Sequence, residues 1–196
     1  MSILTPPTLH DGQRWRNLRV GLLGGSFNPA HQGHMHIARL ALARFHLDFI
    51  WWIVTPQNPL KDEKEMAPYD VRYEGVRKIT KSSPRMMATH LERQLGTNYT
   101  YETIVRLKKA FPATDFLWIC GMDNAHLFHR WEKWREITQE VPVVFIARPP
   151  AGSLVKNCPI RMFSRQKAPQ TTFLQGTKML NISSSEIRKN TFKSND

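Results

Sequence analysis

Val20-Gly21-Leu22-Leu23-Gly24-Gly25-Ser26-Phe27-Asn28-Pro29-Ala30-His31-Gln32-Gly33-His34 is the stretch whose reading decides the fold. An apolar run at 20–23 leads into paired glycines. Two histidines three apart follow, and a helical pattern begins near the second. Glycine lets the backbone approach a ligand closely. A helix start presents unpaired N–H groups and a partial positive charge. Histidine adds a donor able to carry charge near neutral pH, and the spacing puts His31 and His34 on one side of a first helical turn. The segment lacks the Gly-Lys-Ser/Thr ending of a Walker loop and the third glycine of a dinucleotide fingerprint. It reads as a site for nucleotide phosphates. Two other readings stand beside it: a plain turn with surface histidines, and a zinc site with His36 as third ligand, for which no Cys, Asp or Glu lies nearby.

Outward from this stretch, further apolar runs at 49–55, 116–120 and 143–147 alternate with helical patterns at 35–45, 69–82, 101–111 and 131–139. Short strands are expected at 85–88 and 172–174. Continuous apolar strands alternating with helices predict an α/β fold: a Rossmann-like, doubly wound parallel sheet with helices on both faces. One domain over 19–196 is expected, preceded by a polar extension at 1–18. The stretches 56–68 and 149–169 read as long connections, which in a compact α/β domain are often functional. Ligands in such sheets sit beyond the carboxyl ends of the strands. The glycine–histidine segment, the loop 56–61 and Gly121-Met122-Asp123 all fall there.

The formal net charge is +12, which suits polyanionic partners. The charge is spread along the chain with no basic block or tail, so a nucleic-acid-binding domain is the competing reading and not the favoured one. No apolar run spans a bilayer, and the first eighteen residues lack the apolar core of a secretory signal. Cys120 and Cys158 have neither metal-ligand nor disulfide spacing. The chain is expected to be cytoplasmic and reduced, with no nucleic-acid or membrane partner; homo-oligomers stay open.

A second motif, Ile182-Ser183-Ser184-Ser185-Glu186-Ile187-Arg188, reads as a helix start. Ser183 and Glu186 make a capping box, and Ile182 and Ile187 fall at the positions of a hydrophobic staple. That alone describes a well-capped C-terminal helix. The cap also leaves N–H groups near Ser184 free for an anion, with Arg188 as a further donor. Gly121 permits close backbone approach, and Asp123 offers a carboxylate to ribose hydroxyls; Asp after a strand is also an ordinary helix cap. Trp131 and Trp134, three apart, read as one helical face packing on the core, with Trp131 also able to stack on a flat heterocycle. Tyr99 and Thr100 open another helix, with Thr97 or Asn98 as cap; it is either an ordinary helix start or one whose free N–H groups receive a carboxylate or phosphate. Lys61 is either a solvated lysine or a second phosphate contact. No Ser–His–Asp or Cys–His set and no paired carboxylates for two-metal work appear. Positive groups outnumber nucleophiles, as suits a reaction in which the protein positions its substrates and neutralises charge.

Taken together, these residues resemble the nucleotidyltransferases with HxGH and ISSxxIR motifs, and within them the bacterial nicotinate-nucleotide adenylyltransferases. Gly24 to Pro29 with His31 and His34 matches the first motif, and Ile182 to Arg188 the second. Tyr99-Thr100, Gly121-x-Asp123 and Trp131 add to the likeness, which covers roughly 19–190. Leu60 stands where that branch often carries His. The resemblance implies ATP plus nicotinate mononucleotide giving deamido-NAD and pyrophosphate, by in-line attack and without a covalent intermediate. It implies His31, His34 and Arg188 as the catalytic set. ATP would be held by Gly24, Gly25, Ser26 and Phe27, by Gly121 and Asp123, and by Ile182, Ser183, Ser184 and Arg188. Lys61, Tyr99, Thr100 and Trp131 would hold the mononucleotide. Mg²⁺ would accompany ATP, with no protein metal site. Nicotinamide mononucleotide and phosphopantetheine are the rival acceptors.

Overall fold

A computed structural model describes residues 5–57, 66–147, 158–167 and 170–174, with 164–167 as backbone alone. Among these, β1 (Arg19–Gly25), β2 (Phe49–Val54), β3 (Met86–Thr89), β4 (Asp115–Gly121), β5 (Val143–Ile146) and β6 (Thr171–Leu174) pair in parallel. Their order is β3-β2-β1-β4-β5-β6, that of a doubly wound nucleotide-binding sheet.

The reason lies in the strands. Every residue of β2 is buried, which requires cover on both faces. Successive side chains point to opposite faces, so the neighbours Trp51 and Trp52 enter different cores. Trp51 packs with Trp15, Phe111 and Phe116, while Trp52 packs with Phe27. The Trp52 face is covered by α1 (Gln32–Arg44) and α2 (Tyr69–Thr80), through Met35, Ile37, Ala38, Ala41 and Val76. The Trp51 face is covered by α3 (Leu91–Leu95), α4 (Thr100–Ala110), α5 (Met122–Leu127), α6 (Trp134–Glu140) and α7 (Pro159–Lys167).

Three expectations need revision. The helix read at 131–139 begins at Trp134, and Trp131 is extended (φ −74°, ψ 143°) after a 3-10 turn, Phe128–Arg130. Trp131 and Trp134 therefore do not share a helical face; both instead pack on Phe128, at 5.0 and 6.4 Å between ring centroids. The connection read at 149–169 contains α7. The segment ahead of β1 sends Trp15 fully into the core, edge-on to Phe49 and Trp51. The Trp15 carbonyl accepts from the Thr114 hydroxyl at 2.9 Å. No described helix is long and apolar enough to cross a membrane.

β1 lies between β2 and β4, so the chain leaves its carboxyl end toward one side and that of β4 toward the other. This divergence opens the crevice where ligands of such sheets bind.

Candidate functional site

The crevice floor is the turn after β1. A Cβ on Gly24 would lie 2.7 Å from the Trp118 ring on β4, so only glycine lets the strand end pass. Phe27 adopts φ +48°, a left-handed conformation that costs a non-glycine residue roughly 1–2 kcal/mol. Its ring is buried against Trp52 and His34, at 5.2 and 5.1 Å, which offsets that cost. The Asn28–Pro29 peptide is cis. The Ser26 hydroxyl is buried in this turn with no hydrogen-bond partner among the described residues. A buried hydroxyl of this kind is costly unless something binds it.

The two histidines build the start of α1. His31 is the N-cap, and its Nδ1 accepts the Gly33 N–H at 3.1 Å. Nδ1 of His34 accepts the His31 N–H at 3.3 Å. This is a reciprocal capping box with histidines in place of Ser and Glu. The helix thus starts at Gln32, two residues before the sequence pattern implied. An Nδ1 that accepts an N–H must be unprotonated, so in each neutral ring the proton sits on Nε2. The ring centroids are 3.9 Å apart. Both neutral rings thus carry their N–H on Nε2 at the turn that follows β1. His36 lies further along α1 with its Nε2 buried and without a hydrogen-bond partner among the described residues. Among the described residues, no three of His, Cys, Asp or Glu group together as metal ligands.

A family model described as cytidylyltransferase-like matches residues 22–190, from β1 through both end motifs. The chain belongs to the cytidylyltransferase-like family. A protein of Cereibacter sphaeroides (strain ATCC 17023) named "Probable nicotinate-nucleotide adenylyltransferase" is 42% identical over 86% of this chain and 95% of its own length. One of the same name from Rhizobium johnstonii is 38% identical over 88% and 93%. Nicotinic acid mononucleotide adenylyltransferase of Plasmodium falciparum, solved with NaAD, shares the fold with a TM-score of 0.71 and 20% identity, over 88% of this chain and 83% of that one.

Two further segments of the likeness lie on the Trp51 face, at the starts of α5 and α4. Gly121 caps α5, and Asp123 is exposed in its first turn. Tyr99 is the N-cap of α4 and Thr100 its first residue. Thr97 serves the cap from outside, its hydroxyl accepting the Tyr99 N–H at 3.2 Å. Lys133 Nζ lies 4.7 Å from the centre of the Tyr101 ring. The turn carrying Trp131 is thereby a neighbour of the start of α4. Lys61, Leu60, Ile182, Ser183, Ser184 and Arg188 lie outside the described residues. Cys120 is a buried strand residue, as its run implied, and burial pushes its thiol well above the ordinary range.

Two buried charged residues escaped the sequence reading. Arg72 of α2 donates to four carbonyls: Ser26 at 2.7, Thr55 at 2.8, Pro56 at 2.8 and Ala67 at 2.9 Å. It ties the turn after β1 to the chain leaving β2, and burial lowers its pKa. Its signal was its place four and eight residues before Val76 and Thr80, on the buried stripe of α2. Glu92 of α3 is 3% exposed, and the Thr103 hydroxyl donates to its Oε1 at 2.8 Å. Burial pushes its pKa up to about 7, with the Thr103 and Thr55 hydroxyls acting the other way. Nothing in the local pattern around Glu92 marks it as interior.

Proposed function

We propose that this chain transfers the adenylyl group of ATP to nicotinate mononucleotide, giving deamido-NAD and pyrophosphate, as a cytoplasmic step of pyridine nucleotide synthesis. The observation that carries the reading is the pair of Nδ1-anchored histidines at the end of β1, in a chain whose relatives bear that name over nearly their whole length. The phosphate oxygen of the mononucleotide attacks the α-phosphorus of ATP in line, and pyrophosphate leaves. No protein nucleophile is needed. His31 and His34 donate from Nε2 to the phosphate oxygens where charge builds, and preorganised donors of this kind supply the largest electrostatic gain. The Ser26 hydroxyl and the backbone of Gly24, Gly25 and Phe27 line the ATP side, with Gly121 and Asp123 toward its nucleoside. Ile182, Ser183, Ser184 and Arg188 receive the phosphates that leave. Lys61, Tyr99, Thr100 and Trp131 receive the mononucleotide, the start of α4 meeting the carboxylate and Trp131 the pyridine. Mg²⁺ enters on ATP as part of the substrate, held mainly by phosphates and water.

The test is pyrophosphate release from Mg-ATP with nicotinate mononucleotide and nicotinamide mononucleotide side by side. Release with the acid at least tenfold more efficient than with the amide is the expected result. Equal efficiency would remove the acid preference. No release with either, alongside a gel shift of nucleic acid at physiological salt, would replace the enzyme with a binding domain.

A further inference from the structure

We propose that Glu92 is a positioning residue for the acceptor side, fixing where the start of α4 stands against α3. This rests on the proposed adenylyl transfer, since it concerns the mononucleotide's half of that site. Glu92 sits on α3, which packs against both β2 and α4. Glu92 Oε1 accepts from the Thr103 hydroxyl at 2.8 Å, and that hydroxyl also reaches the Tyr99 carbonyl at 3.1 Å. Tyr99 is the cap of α4. One buried carboxyl on α3 thus holds the cap of α4, the helix start that lies near the turn carrying Trp131.

The chemistry of the contacts explains why a carboxyl stands there. Thr103 has one hydroxyl hydrogen and two acceptors within reach. A protonated Glu92 resolves the conflict by donating to the Thr103 oxygen, whose own hydrogen then goes to the Tyr99 carbonyl. Burial favours that neutral form. A neutral group behind the helix start also leaves its positive end undiminished for a substrate carboxylate. Leucine or methionine would fill the space without linking α4 to α3. Arg72, by contrast, secures the phosphate turn itself and leaves α4 untouched.

The experiment compares Glu92→Ala, Glu92→Gln and Thr103→Val with the unaltered protein, each checked for native circular dichroism. KM is measured separately for nicotinate mononucleotide and for ATP. Glu92→Ala and Thr103→Val should each raise the mononucleotide KM about tenfold, as small misplacements of positioning groups do, with the ATP KM within twofold. Glu92→Gln keeps an acceptor oxygen and a donor, and should stay within about threefold on both substrates. Mononucleotide KM values unchanged in both Glu92→Ala and Thr103→Val would overturn the proposal. So would equal losses on ATP and mononucleotide, the mark of a merely structural role. If Glu92→Ala does not fold, the split in Thr103→Val decides alone. An unaltered protein that releases no pyrophosphate sinks the adenylyl-transfer reading and this proposal with it; altered proteins that match an active parent sink the proposal only.

Discussion

At the residue scale, His31 and His34 cap α1, each giving Nδ1 to a backbone N–H and keeping its proton on Nε2. In the proposed reaction the same arrangement also presents those donors to phosphate. His34→Ala should lower kcat by about 10²–10³ if it supplies a transition-state donor, and a steady-state assay showing less than a tenfold change would remove it from that role. His34→Asn separates the two functions, because its amide can still serve the cap while the Nε2 donor is displaced; it should recover stability before it recovers turnover. The spacing of the histidines was legible in the sequence. Their tautomer was not, because it depends on which N–H each Nδ1 accepts.

At the element scale, α2 shows how a helix serves a site that it does not line. Arg72 sits on the buried stripe with Val76 and Thr80, and its guanidinium gathers carbonyls from three stretches of chain. Arg72→Met leaves those carbonyls without their donor and should destabilise the fold by about 3 kcal/mol in urea unfolding, at the upper end for bonds to a charged group. Arg72→Lys should recover little, since an ammonium cannot reproduce the planar fork; full recovery would show that charge alone matters there. The elements themselves were mostly legible from apolar runs: β1, β2, β4 and β5 lie within about two residues of their expected ends. Trp131 was misread because its spacing to Trp134 fits a helix equally well. Only packing of both rings on Phe128 decides that the chain is extended at Trp131. Helix α7 was missed because the prolines around it pointed to a connection.

At the scale of the whole molecule, Glu92 links stability to pH. Its folded pKa, about 7, lies above the ordinary value of 4.5. Between those values the native state holds a proton that the unfolded chain has released, so stability falls as pH rises through this window and levels off above it. The full cost above pH 7 is about 3 kcal/mol at 1.36 kcal/mol per unit. Glu92→Gln should abolish that part of the slope, gaining on the parent between pH 5 and pH 8 in urea unfolding. Parallel pH profiles for the two proteins would refute the assignment. The parallel sheet, its two covered faces and the glycine–histidine turn at the end of β1 were determined by the sequence alone. Such features are written in runs of adjacent residues: continuous apolar strands, a glycine pair that must pass Trp118, histidines at helical spacing. The order β3-β2-β1-β4-β5-β6, the burial of Trp15, the four-carbonyl grip of Arg72 and the bridge from Glu92 to Thr103 were decided only by the tertiary structure. Each joins groups far apart in the chain, and the balance of desolvation against hydrogen bonding that makes a buried charge tolerable exists only once those groups meet.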